Sequence, residues 1–146
     1  MKVVIVGARK RSEREDEPIV NKLMDDLLNR YPSLTIVATS CDRGVGKILK
    51  NRCLPLGTKN PKAQFKFVEI TIRVYSAEEL TKAELAETFS ARNAMLVEVG
   101  EEFHVFVEEE PRGNMLDLIE RVNRAGAPMA VYRKGEAELK RPVIGA

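Results

Sequence analysis

The chain has 146 residues, of which 44% are hydrophobic and 32% charged, and its formal net charge is +2 at pH 7. These values are typical of a globular protein, and the length suits one domain over residues 1–146. No apolar run approaches the ~20 residues of a transmembrane helix, and the first residues are typical of a strand rather than a signal peptide. We therefore expect a cytoplasmic protein that does not bind membranes. Two cysteines, Cys41 and Cys53, and a single histidine, His104, match no metal-ligand or redox spacing, so we expect neither a metal nor a cofactor.

The first part of the chain predicts two strands with a helix between them. The β-branched run at 2–6 predicts a buried strand. Residues 7–17 are polar and predict a loop, and a helix is expected over 18–31, where apolar residues recur at helical spacing. A second buried strand is predicted at 34–40.

The middle of the chain predicts helix, strand and helix again. Residues 43–53 are expected to open a helix, and residues 54–64, which contain two prolines, predict a turn-rich connector. A third strand is predicted over 65–76. Residues 77–99 are strongly helix-forming and predict one long helix or two, which end at Gly100.

The last part of the chain predicts strands at 103–107 and 128–132, with a loop and a helix between them that ends at Gly126. Residues 133–146 are charged and are expected to form a loosely packed tail. Because short apolar strands alternate with helices, we predict an α/β fold with a Rossmann-like, doubly wound, mainly parallel five-stranded sheet and helices on both faces. The expected strand order is 3-2-1-4-5, with a switch between the first and fourth strands.

Three loops that follow predicted strands carry glycines and basic side chains. Because the carboxyl ends of parallel strands meet at one edge of the sheet, we expect these loops to come together and to bind an anion through backbone N–H groups at helix N-termini. Residues 1–62 hold 13 Lys/Arg against 7 Asp/Glu, which favours the same ligand class. The alternative is a solvated charged surface, which we expect for Lys10, Arg11, Lys50 and Lys59. The predicted phosphate-binding residues of these loops are Gly7, Ala8, Arg9, Ser40, Arg43, Gly44, Gly46, Lys47, Arg112, Gly113 and Asn114.

The second of these loops does not match the P-loop of nucleoside triphosphatases. That motif requires a first glycine and a Ser or Thr directly after its Gly-Lys pair, because the hydroxyl binds magnesium. Here Cys41 stands in place of the first glycine, and Ile48 follows Gly46 and Lys47. We therefore do not expect a P-loop enzyme.

Two predicted helices supply further candidates. Arg92 and Asn93 form a polar pair, which either completes the ligand pocket or makes surface contacts. A carboxylate that faces an anion pocket serves as a nucleophile or a general acid–base. Asp117 and Glu98 are the candidate catalytic residues. The alternatives for both are binding of ribose hydroxyls or simple exposure to water.

Taken together, these motifs resemble those of the SLOG superfamily, which includes LOG-type phosphoribohydrolases, DNA-processing protein A and small YspA-like proteins. The resemblance spans residues 1–132. It rests on VVIVGAR at the start, VATSCDRGVGK after the second strand, SARNAML in the helix before the fourth strand, and FVEEEPRGNMLDLIERVNRAGAPMAVY at the end. The resemblance implies a Rossmann-like fold and a nucleotide or nucleotide-derived ligand.

The resemblance leaves the activity open. LOG-type hydrolases carry Pro-Gly-Gly-x-Gly-Thr followed by a glutamate, whereas the fourth loop here contains Pro111, Arg112, Gly113 and Asn114. We expect nucleotide binding, with hydrolysis of a nucleotide N-glycosidic bond as the alternative. Binding of single-stranded nucleic acid is less well supported, because only 5% of the residues are aromatic. A homo-oligomer is expected, because the helical region 77–99 offers more apolar surface than the sheet needs.

Overall fold

The computed structural model describes residues 1–8, 10–39, 43–59, 65–70 and 82–133, in which strands and helices alternate. The strands are β1 (Lys2–Gly7), β2 (Leu34–Thr39), β3 (Phe65–Ile70), β4 (Glu102–Val107) and β5 (Met129–Arg133). The helices are α1 (Glu13–Arg30), α2 (Gly44–Lys59), α3 (Lys82–Val99) and α4 (Gly113–Ala125). Some predictions lie outside the described residues: Arg9, Ser40, the connector at 60–64, the strand at 71–76, the helix start at 77–81 and the tail at 134–146.

All five strands form one parallel sheet in the order β3-β2-β1-β4-β5. This arrangement confirms the predicted α/β, Rossmann-like fold and strand order. The side chains of the central strand β1 alternate between two packed layers. Ile5 packs into the cluster under α1 and α2, whereas Val4 packs into the cluster under α3 and α4. The sequence of β1 is continuously apolar because helices cover both faces of the sheet.

Helix α1 begins at Glu13, earlier than the start predicted at Pro18. The Ser12 side chain caps the helix, because its Oγ accepts the N–H of Glu15 at 3.4 Å. The first turn is acidic, which complements the positive end of the helix dipole. The loop predicted over 7–17 is therefore wrong from Glu13 onward, because the polar residues there form a capped first turn rather than a loop.

Helix α2 continues to Lys59 and so includes part of the connector predicted over 54–64. Its buried side chains Val45, Leu49 and Cys53 are four residues apart and face the core. This packing holds the helix together past Pro55, which lacks a backbone donor. The connector was predicted from proline content alone, which does not account for such a buried face.

The predicted ends of α3 and α4 are confirmed. The Gly100 N–H donates to the Leu96 carbonyl at 2.9 Å, directly after α3, and Gly126 follows α4 in a left-handed conformation. Within the described part of the chain, no helix is long and apolar enough to cross a membrane.

Candidate functional site

The carboxyl ends of β1 and β4 lie side by side at one edge of the sheet. Gly7 pairs with Phe106, and the Ala8 N–H donates to the Phe106 carbonyl at 2.8 Å. Since α1 covers one face of the sheet and α4 the other, this is the topological switch point at which ligands bind in open α/β sheets. Ala8 also packs against the cluster that contains Met115 of α4. The structure therefore brings the first and fourth loops together, as predicted.

Gly7 is required for helix packing at this edge. A Cβ at Gly7 would lie 2.7 Å from Cγ2 of Val45, so a larger residue would push α2 away from β1. This contact explains why position 7 is a glycine, and the explanation does not require a bound ligand.

Arg11 is buried, so the prediction of a solvated surface side chain is wrong for this residue. Its guanidinium pairs with the buried Asp16 and donates to the carbonyls of Val107 at 2.6 Å and Tyr132 at 3.0 Å. It also lies over the Phe106 ring, 5.3 Å from the centroid. These bonds satisfy carbonyl groups at the carboxyl ends of β4 and β5, which is why a charged side chain is tolerated here. Arg11 is thus committed to the fold and takes no part in the candidate site.

The N-terminus of α2 already holds an anion from this chain. The Gly44 N–H donates to Oε1 of Glu13 at 2.8 Å, and Nζ of Lys47 lies 3.7 Å from Oε2 of the same carboxylate. Gly44 has a φ of 66°, which favours glycine and aims this N–H at Glu13. Arg43 and Lys47 are exposed, and Gly46 is half-buried. A phosphate at this turn would have to displace the Glu13 carboxylate.

The N-terminus of α4 is arranged differently. Arg112 occupies the N-cap position without a side-chain cap hydrogen bond, and the first turn contains no acidic residue. Gly113 has a φ of 54°, and a Cβ added there would meet no atom within 4 Å. Because Gly113 and Asn114 lie in the first turn, no carbonyl within the helix accepts their N–H groups, which therefore point towards an acceptor outside the helix. Of the two helix N-termini that carry predicted phosphate-binding residues, this one holds no carboxylate from the described part of the chain.

A polar cluster joins α3 to the first turns of α4. Nδ2 of the buried Asn93 donates to the Asn114 carbonyl at 2.8 Å and to Oδ2 of Asp117 at 3.0 Å. Arg121 donates to the same Oδ2 at 2.9 Å and to Oγ of Ser90 at 2.7 Å. Oδ1 of Asn93 is buried and has no hydrogen-bond partner among the residues that the structure describes. The predicted residues Asn93, Asn114 and Asp117 are therefore in direct contact.

These contacts set the protonation state of Asp117. Burial raises the pKa of this carboxyl, but the hydrogen bonds from Asn93 and Arg121 outweigh it, together with the charges of Arg121 and Arg124. The net effect is a pKa below the usual value of aspartate. Asp117 is consequently ionised at neutral pH and acts as an acceptor or a base rather than as an acid.

A cavity of about 420 Å³ lies beside this cluster. Because Asn93 is level with Asn114, the turns of α3 that precede Asn93 extend past the start of α4 by about 5 Å per turn. They form an apolar wall opposite the open N-terminus of α4. The lining residues are Leu85, Ala86, Phe89 and Ser90 of α3, and Gly113, Asn114 and Asp117 of α4. The guanidinium carbon of Arg92 lies 4.9 Å from the centroid of the Phe89 ring, which places this predicted side chain next to the cavity wall.

Glu98, the second predicted catalytic residue, lies far from this cavity. It is exposed near the carboxyl end of α3, nine residues beyond Phe89 and so about 13 Å along the helix. Since α3 leads into the amino end of β4, Glu98 lies towards the opposite edge of the sheet. The structure therefore brings Asp117 to the cavity but not Glu98.

A second polar cluster, which the sequence analysis missed, lies on the α1 side of the sheet, where Glu102, His104 and Tyr132 are buried. Nε2 of His104 is 2.6 Å from Oε2 of Glu102, and Nδ1 is 2.6 Å from the Tyr132 hydroxyl. The Tyr31 hydroxyl donates to Oε1 of Glu102 at 2.7 Å, and Arg30 lies 3.3 Å from Oε2. The available signal was the spacing of Glu102 and His104, which places both on one face of β4.

The protonation states in this cluster follow from its hydrogen bonds. Burial raises the pKa of Glu102, but hydrogen bonds from His104 and Tyr31 and the charges of His104 and Arg30 outweigh it and lower the pKa to about 2. Glu102 is therefore an acceptor, so the Nε2 atom of His104 carries a proton. Burial and the charge of Glu102 raise the pKa of Tyr132, which makes it a poor nucleophile. We assign this cluster to the core of the fold.

Comparison of the sequence with models of protein families and with curated proteins finds no match. Among solved structures, the chain is similar to two crystal structures of the C-terminal domain of a hydrogenase from Pyrococcus furiosus. One shares 16% identity with a TM-score of 0.49 and covers 90% of this chain and 90% of that chain. The other shares 17% identity with a TM-score of 0.45 and covers 90% and 89%. Neither similarity assigns a ligand or a reaction to this chain.

Proposed function

We propose that this protein binds a nucleotide or a nucleotide-derived ligand in the cavity between α3 and the N-terminus of α4. One observation carries the proposal: a single cavity of about 420 Å³ combines an aromatic, apolar wall with an uncapped helix N-terminus. The volume lies within the range of about 300–1,000 Å³ that is usual for small-molecule sites. The resemblance of the sequence to the SLOG superfamily implies the same ligand class.

The cavity offers groups that complement the base, the phosphate and the ribose of a nucleotide. The base stacks on Phe89, whose neighbours Leu85 and Ala86 exclude water. The phosphate accepts hydrogen bonds from the N–H groups of Gly113 and Asn114, at the positive end of the α4 dipole. Ribose hydroxyls donate to the ionised carboxylate of Asp117.

The first two loops have a smaller part in this proposal than the sequence analysis gave them. Gly7 packs against Val45, and the N-terminus of α2 is occupied by the Glu13 carboxylate. We therefore place the phosphate at α4. The exposed Arg43 and Lys47 add positive charge at the same edge of the sheet, which favours the approach of an anion.

Calorimetric titration with a panel of nucleoside monophosphates and dinucleotides tests the binding. Phe89→Ala is expected to weaken binding by about 1–3 kcal/mol, or roughly 5- to 150-fold, because it removes a base-stacking ring. Phe89→Leu keeps an apolar side chain without the ring and is expected to weaken binding almost as much. Val68→Ala, which shortens an exposed apolar side chain on the edge strand β3, is the matched control. Equal affinity in wild type and Phe89→Ala would refute the proposed position of the base.

Hydrolysis of the nucleotide N-glycosidic bond is the second candidate function, and the ionised Asp117 at the cavity wall favours it. A carboxylate beside the ribose stabilises the positive charge that develops at C1′ as the bond to the base breaks. Water then forms the new bond to C1′, and the base leaves with a proton. Asp117→Asn is expected to lower turnover sharply and to change phosphate affinity little.

Mass spectrometry distinguishes binding from hydrolysis. The protein is incubated with pooled nucleotides and denatured, and the released small molecules are quantified. An intact nucleotide at stoichiometric yield supports binding alone, whereas free base and ribose phosphate beyond one equivalent indicate an enzyme. If neither is found, both nucleotide functions fail, and binding of single-stranded nucleic acid is tested through the salt dependence of its affinity.

A further inference from the structure

The two carboxylate oxygens of Asp117 differ in their contacts. Oδ2 accepts hydrogen bonds from Nδ2 of Asn93 at 3.0 Å and from Nε of Arg121 at 2.9 Å. Oδ1 accepts no hydrogen bond from the residues that the structure describes. Asp117 lines the cavity, and 33% of its side chain is exposed. One oxygen is therefore fixed by the fold, and the other is free to accept a hydrogen bond from a ligand.

The two donors that bind Oδ2 are themselves held in place. Nδ2 of the buried Asn93 uses both of its hydrogens, because it also donates to the Asn114 carbonyl at 2.8 Å. Since both partners are acceptors, the orientation of this amide is fixed. Nη2 of Arg121 donates to Oγ of Ser90 at 2.7 Å, which ties the guanidinium to α3. The free oxygen of Asp117 thus has a defined position, as recognition of a ligand by hydrogen bonds requires.

Asp117 lies one helical turn from the uncapped N-terminus of α4. Gly113 and Asp117 are four residues apart, so they lie on the same side of the helix and about 6 Å apart along its axis. The side chain of a helical residue points back towards the N-terminus, which brings the carboxylate closer to the first turn. In a nucleotide the sugar is joined directly to the phosphate. A phosphate at the N–H groups of Gly113 and Asn114 therefore places the sugar, rather than the base, beside Oδ1.

We propose that this site selects ribonucleotides over 2′-deoxyribonucleotides, with Asp117 as the residue that determines the selectivity. The inference rests on the proposed nucleotide function and adds the class of sugar to it. An ionised carboxylate only accepts hydrogen bonds, so it recognises groups that donate, such as hydroxyls. The 2′- and 3′-hydroxyls lie on the same face of ribose and both donate to Oδ1. A deoxyribose lacks one of these donors and leaves the charged oxygen short of a partner.

Calorimetric titration with matched pairs of nucleoside 5′-monophosphates tests the selectivity. The members of a pair share the base and the phosphate and differ only at C2′, so the ratio of their affinities reports on the sugar alone. The ribonucleotide is expected to bind about tenfold or more tightly than its 2′-deoxy counterpart, because a hydrogen bond to a charged group is lost. A 2′-fluoro analogue has a substituent of similar size that does not donate, and it is expected to bind as weakly as the 2′-deoxyribonucleotide.

Asp117→Asn tests whether the carboxylate is responsible. Because Asn93 and Arg121 both donate, the amide oxygen of the new side chain is expected to take the place of Oδ2, which puts the NH₂ group in the place of Oδ1. The acceptor for the hydroxyls is then absent, so the preference for ribose is expected to be lost while the affinity for the 2′-deoxyribonucleotide changes little. Glu120→Gln makes the same change at an exposed position of α4 and is expected to keep both affinities.

Two outcomes would overturn the selectivity and leave the proposed function standing. One is equal affinity for the ribonucleotide and the 2′-deoxyribonucleotide, and the other is a preference for ribose that Asp117→Asn retains. If no nucleotide binds to the wild-type chain, the proposed function itself fails, and the selectivity fails with it. Circular dichroism of each variant separates a changed site from a lost fold.

Discussion

Replacing Glu102 by glutamine is expected to remove a pH-dependent contribution to the stability of the fold. Glu102 is 5% exposed and accepts hydrogen bonds from His104 and Tyr31 while Arg30 lies close by. These groups favour the ionised carboxylate, and the pKa falls from 4.5 to about 2 on folding. The native state therefore gains stability whenever this carboxylate is charged.

The magnitude and the pH range follow from this shift. A pKa lowered from 4.5 to about 2 corresponds to about 3 kcal/mol, since one unit is worth 1.36 kcal/mol. Because the folded-state pKa is the lower one, the contribution is fully present above pH 4.5 and is lost as the pH falls towards 2. Glutamine carries no titrating group, so the variant lacks this part of the pH dependence.

Urea unfolding of wild type and Glu102→Gln across this pH range gives the measurement. The difference in unfolding free energy between the two proteins is expected to be largest at neutral pH and to shrink by about 3 kcal/mol towards pH 2. Glu17→Gln removes an exposed carboxylate from α1 and is expected to show almost no pH-dependent difference from wild type. A difference for Glu102→Gln that is constant with pH would refute the reasoning.

Three further predictions follow from other contacts. Arg11→Met leaves the Asp16 carboxylate buried without its partner and is expected to lower the free energy of unfolding in urea by about 3–5 kcal/mol. Adding Asp16→Leu is expected to recover most of this loss. A loss below about 1 kcal/mol for Arg11→Met would contradict the buried pair. Burial raises the pKa of the Cys53 thiol to about 12, so peptide mapping is expected to show alkylation of Cys53 by iodoacetamide only in denaturant. Glu13→Gln is expected to leave nucleotide affinity unchanged in calorimetric titration; a marked gain would show that the phosphate competes with Glu13 at α2.

Much of the fold could be predicted because its signals are local. The continuous apolar run of β1 and the alternation of strands with helices lead to a parallel sheet, and right-handed crossovers then limit the strand order. Gly126 marks the end of α4 through its left-handed conformation, whereas Gly100 after α3 leaves room for the side chains of Phe103 and Val4. Local patterns misled where a charged first turn resembled a loop, as at Glu13, and where proline lay inside a helix with a buried face, as at Pro55.

The candidate site could be predicted only in part. Sequence reasoning placed Arg92, Asn93, Asn114 and Asp117 near one sheet edge, and the structure brings all four close to the cavity between α3 and α4. It did not identify Phe89, because an aromatic residue at helical spacing is usually a core residue, and only the position of α3 relative to α4 places this ring on a cavity wall. It also did not predict that Asp117 lies at the cavity and Glu98 does not. That difference depends on which turn of α3 lies at the carboxyl edge of the sheet.

By itself, the sequence determined the class of fold and the order of the strands, because these depend on the alternation and polarity of neighbouring residues. Only the tertiary structure decided which polar groups pair with one another. The Glu13 carboxylate meets the Gly44 N–H across 31 residues, and His104 meets Tyr132 across 28. Such pairs have no periodic signature along the chain, since their hydrogen bonds form only after packing of the apolar layers has brought the elements together.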